Sequence, residues 1–235
     1  KKKTNEYEKK GKKRNKKDKK KHSKLKKVIL IIFITLVIIG LTGIGIFAGI
    51  FFSDKWKITK EDVVIGYNNT TVYDSEGKFL CELSGDENRK IISLADMGKY
   101  IPKAFVAIED ERFEKHSGVD LKRTAGAIVN FIIHRGKSSY GGSTITQQLV
   151  KNMMKEDEDE GLAGVRRKIR EWSRAYQIEQ MLSKNQILET YLNQVFMGGG
   201  TNIYGVEKAS KYYFNKSASE LTLAEAAFLA GINRA

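Results

Sequence analysis

The sequence holds a single cysteine and a single proline among 235 residues. One cysteine excludes a disulfide framework, a four-cysteine zinc site and a CxxC redox pair. Internal repeats are absent. Charge of one sign is also missing from most of the chain: beyond residue 27, the remaining 208 residues carry 26 basic and 25 acidic groups. The overall charge of +14 therefore does not mark a nucleic-acid-binding domain. It belongs to residues 1–27, where sixteen Lys and Arg stand against Glu6, Glu8 and Asp18. Tyr7 is the one aromatic residue there, so the tail lacks the interleaved rings on which bases stack. A hydrophobic share of 41% supports a real core and excludes wholesale disorder.

Immediately after the tail, Val28 to Phe52 runs 25 residues without a charge. As a helix it would span roughly 37 Å, enough to cross a hydrocarbon layer of about 30 Å with some tilt. A cleaved signal peptide would have a shorter apolar region and a small-x-small cleavage site, whereas this run ends in Phe51-Phe52. The lysines then orient the segment: tail in the cytoplasm, residues 53–235 outside.

Residues 53–95 read as β or irregular structure. Thr70–Tyr73 and Lys78–Leu83 flank the turn cluster Asp74-Ser75-Glu76-Gly77, a hairpin pattern, with Cys81 as a packed or half-exposed structural thiol. From about residue 96 the periodicity turns helical. Pro102 suits a helix's first turn. Capping boxes at Thr144/Gln147, Ser183/Gln186 and Thr222/Glu225 announce three more helices. The Ser183 helix carries Ile187, Leu188, Tyr191, Leu192, Val195 and Phe196 as a core stripe and is expected to stop at Gly198-Gly199-Gly200. A further helix from about Val165 shows an apolar stripe at Val165, Ile169, Trp172 and Tyr176.

Three segments could carry chemistry. Glu109 follows an apolar run and, on a continuing helix, would lie between Phe105 and Phe113, rings that shield a carboxylate from water and suit a proton acceptor or donor. It could equally be a solvated member of the cluster Glu109-Asp110-Glu111. Residues 141–152, GGSTITQQLVKN, join a Gly-Gly turn to a helix start, with hydroxyls, amides and Lys151 as donors, an anion-binding pattern or an ordinary capped helix. In RRKIREW, Glu171 stands three residues from Lys168 and four from Arg167, so a carboxylate could orient two cations toward a phosphate, or form a surface ion-pair ladder.

Taken together, EDERFEKHSGVD (109–120), GGSTITQQLVKN (141–152), RKIRE (167–171), ILETYLNQVFMGGG (187–200) and ELTLAEAAFLAGI (220–232) resemble the peptidoglycan glycosyltransferase domain, family 51, of class A penicillin-binding proteins. The resemblance covers 104–235. It implies a mainly α, lysozyme-like domain with a membrane-embedded jaw, preceded by one transmembrane helix and a short β-hairpin linker. The organisation expected is a cytoplasmic tail (1–27), a membrane helix (28–52), an extracytoplasmic linker (53–95) and the glycosyltransferase domain (96–235), with a transpeptidase domain expected to follow. No penicillin-acylating SxxK serine with its companion motifs is present.

The implied activity is polymerisation of lipid II into glycan strands by inverting displacement of undecaprenyl pyrophosphate, forming β-1,4 bonds. Glu109 matches the catalytic base and Glu171 the second family glutamate. Lys151, Arg167 and Lys168 match residues neutralising the pyrophosphate. Asp110, Phe113 and His116 match cleft-shaping positions, with His116 read as a structural hydrogen-bonder. Thr144, Gln148 and Asn152 match positions that contact substrate or hold the loop. Residues 127–133 match the jaw and are expected to dip into the outer leaflet, although a buried core helix would read the same way. The stretch between Asn152 and Arg167 is longer and more acidic than the family pattern, Lys155 being the nearest counterpart of a basic residue usual there, and Glu156–Glu160 read as a solvated or cation-attracting loop. No metal site and no cofactor follow firmly, beyond Mg2+ or Mn2+ as an assistant to the pyrophosphate. Expected partners are lipid II, the growing strand, the membrane, a moenomycin-type inhibitor and cell-wall machinery, without nucleic acid. The alternatives are a lysozyme-like glycan-cleaving enzyme and a catalytically silent membrane scaffold.

Overall fold

The computed structural model describes residues 2–63, 69–83, 87–134, 141–154, 161–198 and 202–232, and their side chains except those of 2–23, 25, 128, 131 and 132. Lys155, the acidic run 156–160, Gly199-Gly200 and the last three residues lie outside the described residues. Two compact units are present, Lys1–Ile50 and Phe51–Ala235.

The first unit is helix α1 (Lys2–Phe51). Its stretch Lys26–Phe51 is long and apolar enough to cross a membrane, and side chains from Val28 to Ile46 are exposed rather than packed on protein.

The second unit begins with short elements. These are a 3-10 turn at Asp54–Trp56, α2 (Lys60–Val63), the hairpin β1 (Thr70–Tyr73) and β2 (Phe79–Leu83), and β3 (Asn88–Arg89). β1 and β2 pair antiparallel, Thr70 opposite Leu83 and Val72 opposite Cys81. Asp74 closes the turn, its carboxylate accepting from the backbone N–H groups of Glu76 (3.0 Å) and Lys78 (2.8 Å). Cys81 is exposed rather than packed, because neither face of β2 is covered.

Seven helices complete this unit among the described residues: α3 (Ile101–Glu109), α4 (Leu121–Ile133), α5 (Ile145–Met154), α6 (Gly161–Met181), α7 (Lys184–Gln194), α8 (Val206–Phe214) and α9 (Leu223–Ile232). All three capping boxes form; in that at Thr144, its backbone N–H donates to Gln147 Oε1 (3.0 Å) while Gln147 N–H returns to Thr144 Oγ1 (3.1 Å). α5 packs on α6 and α7, and α3 on α9. Phe105, Ile145, Leu149, Ile187, Tyr191, Leu192 and Leu229 are fully buried between them. Each such side chain contributes about 1.5–3 kcal/mol of apolar burial.

Two expectations need correction here. α7 stops at Gln194, not at the glycines: Val195 turns extended, Met197 N–H donates to Ile203 O (2.9 Å) and Gly205 N–H to Val195 O (2.8 Å). Backbone pairing with β4 (Ile203–Tyr204), itself parallel to β3, thus replaces a further helical turn, and Phe196 is half exposed. On α6 the buried face is Glu171, Ser173, Ala175 and Ile178, whereas Val165 and Tyr176 are exposed. On α4 the side chains of Leu121, Val129 and Ile133 stand exposed, which counts against the alternative of a buried core helix.

Candidate active site

Helix α3 ends at Glu109 because Asp110 leaves helical backbone (φ −155°, ψ 72°), so Phe113 is not a helical neighbour of Glu109 but sits in a separate 3-10 turn. The break lets two successive carboxylates do different things. Asp110, fully buried, accepts from the Ile145 N–H at the start of α5 (3.0 Å) and faces His116 Nε2 at 2.9 Å. A carboxylate at a helix N-terminus satisfies its orphan donors and complements its dipole. Phe113 is buried edge-on against His116, under the Lys184 ammonium 4.4 Å from its ring. Lys184 also donates to His116 O (2.7 Å) and pairs with Glu179, which accepts from Thr146 Oγ1.

Thr144 is fully buried and donates to Gly118 O at 2.6 Å. Asp110, Phe113 and His116, expected to shape the cleft, and Thr144, expected to contact substrate or hold the loop, thus bond to one another's segments and form a frame for the site. Gly118 has φ +87°, and a Cβ there would lie 2.6 Å from the Ala175 backbone, so only glycine lets this segment approach α6 so closely.

Glu109 is 6% exposed, and its Oε2 accepts from Gln148 Nε2 at 2.8 Å. Gln148 Oε1 accepts in turn from the Tyr191 hydroxyl at 3.0 Å, and Tyr191 packs edge-on against Phe105. A guanidinium N–H of Arg123 donates to the Glu109 backbone carbonyl, and Arg123 Nε donates to Gly141 O (3.1 Å). Between the end of α3 and the start of α4 lies a cavity of about 330 Å³, lined by Ile108, Arg112, Asp120 and Arg123 among others. Burial pushes the Asp120 carboxyl up, but the N–H groups of Arg123 and Lys122 that it caps, with the Arg112 charge 2.9 Å away, outweigh it and hold the group below the usual range.

The cations lie across α5. Lys168 Nζ donates to Ser143 Oγ (3.0 Å) and to Glu171 Oε1 (2.5 Å), and Arg167 stands 3.9 Å from Glu171 Oε2. Glu171 is buried to 6% exposure, so these three do not form a ladder on open surface. Lys151 and Asn152 are exposed, three and four residues along α5 from Gln148 and hence on its side of the helix. Among the described residues no three acidic, histidine or cysteine side chains cluster to hold a metal ion.

Glu109, Gln148, Ser143, Lys168, Glu171 and Arg167 are linked through α5 and its cap. Tyr191, Arg123 and Ser143 join the site without having been singled out in the sequence. Tyr191 stood in an apolar stripe that gave its ring but not its hydroxyl a purpose, and nothing local marks Arg123. A water-shielded carboxylate can take a proton from a hydroxyl, and oriented cations can stabilise charge on a departing anion.

Residues 76–235 match the family model described as Transglycosylase. Penicillin-binding protein 1A of Clostridium acetobutylicum is 48% identical over 165 residues, 68% of this chain and 20% of that protein. Penicillin-binding protein 1A of Clostridium perfringens strain 13 is 37% identical over 86% of this chain and 30% of its own length. Penicillin-binding protein 1F of Bacillus subtilis is 38% identical over 87% and 28%. The chain belongs to the transglycosylase family and carries a glycosyltransferase domain of the class A penicillin-binding protein type. It spans 20–30% of the length of these relatives. Together with the apolar N-terminal helix, they mark it as membrane-anchored.

Proposed function

We propose that this domain polymerises lipid II into glycan strands, with Glu109 as base and the cations around Glu171 receiving the pyrophosphate. Glu109 takes the proton from the acceptor sugar's 4-hydroxyl as that oxygen attacks the donor's anomeric carbon. The bond to the α-linked pyrophosphate breaks, carrying its electron pair to the phosphate oxygen, and a β-1,4 bond forms with inversion. Lys168 and Arg167, held in place by Glu171, stabilise the charge that appears on the leaving group, and Lys151 adds a further cation. Glu171 is thereby a positioning residue. The observation that carries the reading is that Gln148 near the start of α5 holds Glu109, while Ser143, two residues before α5, holds Lys168 and through it Glu171.

Incubated with lipid II, the Glu109→Gln variant is expected to lose roughly 10²–10⁴-fold in polymerisation while still binding the substrate. Near-normal turnover, or shortening of preformed strands without synthesis, would reject the assignment.

The tail lies on the cytoplasmic side and the domain outside, by the excess of lysines before the span, and the exposed apolar side chains of α4 enter the outer leaflet. Cys81, the single cysteine and an exposed one, reports this directly. A membrane-impermeant maleimide should label it on intact cells, and labelling only after lysis would reverse the topology.

A further inference from the structure

Arg166, Arg170 and Arg174 lie at successive fourth positions of α6, and all three guanidinium groups stand over one ring, that of Trp56, at 5.8, 4.7 and 5.8 Å from its centroid. Successive members of such a column are about 6 Å apart along the helix, and a guanidinium over the face of a tryptophan is attracted by the ring. On the same helix Glu171 pairs with Lys168 and Arg167. Adjacent residues on a helix are about 100° apart, so the column occupies a face neighbouring the one turned to Glu171.

Residues from Phe51 onward, at the start of the second unit, pack on the same helix. Ser173 Oγ donates to the Phe51 carbonyl, the Phe51 ring lies 6.1 Å from that of Tyr176, and Gln177 bonds both the Trp56 carbonyl (3.3 Å) and the Ile58 N–H (3.2 Å). Phe52 is 77% exposed. Where a chain leaves a bilayer, tryptophan settles at headgroup depth and arginine reaches phosphate in a bidentate fork. We propose that Arg166, Arg170 and Arg174, stacked on Trp56, form a docking site for the phosphate of anionic phospholipid headgroups in the leaflet from which the span emerges. The site holds α6, and with it the Lys168–Glu171 pair, at a set height over the membrane. This rests on the apolar run crossing a bilayer and not on the glycosyltransferase reading.

The test uses the full chain in vesicles of phosphatidylcholine with increasing phosphatidylglycerol, one lipid at a time carrying a bromine quencher. In a Trp172→Phe background, Trp56 is the sole tryptophan. Brominated phosphatidylglycerol should quench Trp56 at a far lower mole fraction than brominated phosphatidylcholine. The triple variant R166Q/R170Q/R174Q should erase that preference, each arginine being worth about fivefold. The lysine triple should fall between, since it keeps charge but loses the fork and the stacking. The Lys-rich tail is unchanged throughout and contributes equally. Equal quenching by the two lipids before any arginine is changed overturns the proposal even if the triple variants fail to fold. So does a lysine triple that matches the arginines, which would leave only diffuse attraction. Quenching by a polyprenyl diphosphate in pure phosphatidylcholine, with none by phosphatidylglycerol, would assign the column to the substrate instead.

Discussion

The two glutamates of the site, Glu109 and Glu171, are equally withdrawn from water, each 6% exposed, yet they are held in opposite ways. Glu109 ends a helix and accepts from a neutral amide, itself steadied by a tyrosine. Glu171 lies inside a helix between two cations. In the proposed reaction the first accepts a proton, and the second holds two cations in place. Similar burial thus serves two tasks, and the difference lies in the neighbours.

The largest effects should separate the two. Glu171→Gln is expected to cut polymerisation by on the order of 10²–10³-fold, the scale of losing a preorganised charge stabiliser. It should also weaken binding of the diphosphate moiety, measured by isothermal titration with a polyprenyl diphosphate. Glu109→Gln should leave that binding unchanged. If both variants weakened it alike, the division of labour would be broken.

Gly118→Ala should damage both halves at once, because its carbonyl is bound by Thr144 before α5 and its Cα presses on the α6 backbone. A left-handed backbone with a clash at 2.6 Å is expected to cost at least about 2 kcal/mol, lowering the melting temperature by several degrees. An unchanged melt would mean that the segment can yield.

The smallest effect belongs far from both glutamates. The Lys216 ammonium, 2.6 Å from Glu225, together with the Thr222 backbone N–H, holds the Glu225 carboxyl down to about 2 from its ordinary 4.5. A group lowered on folding stabilises the fold above its unfolded value, and the contribution fades as pH falls from 4.5 toward 2. Glu225→Gln should therefore melt slightly earlier at neutral pH and converge with the parent near pH 2, while polymerisation stays intact.

The parts of this comparison that rest on near neighbours were legible in the sequence. Capping boxes at Thr144, Ser183 and Thr222 close over three residues, the Asp74 turn over four, and the spacing of Arg167, Lys168 and Glu171 already gave their shared face. What stayed hidden depends on distant partners. Val195 and Phe196 have helical credentials but are drawn off by β4, and Val165 and Tyr176 repeat like a core stripe yet face outward. The grip of Arg123 on the Glu109 carbonyl needs α4 folded back on α3 before it exists. Asp110 and Thr144 could be picked out as motif residues, but only packing shows that they look inward.

Gln148, which reaches the proposed proton acceptor, sits on α5, whereas Ser143, which reaches Lys168, lies just before the helix, next to the Thr144 that caps it. The interval between those two contacts is consequently anchored at one end by a capped helix and at the other by the short turn that precedes it.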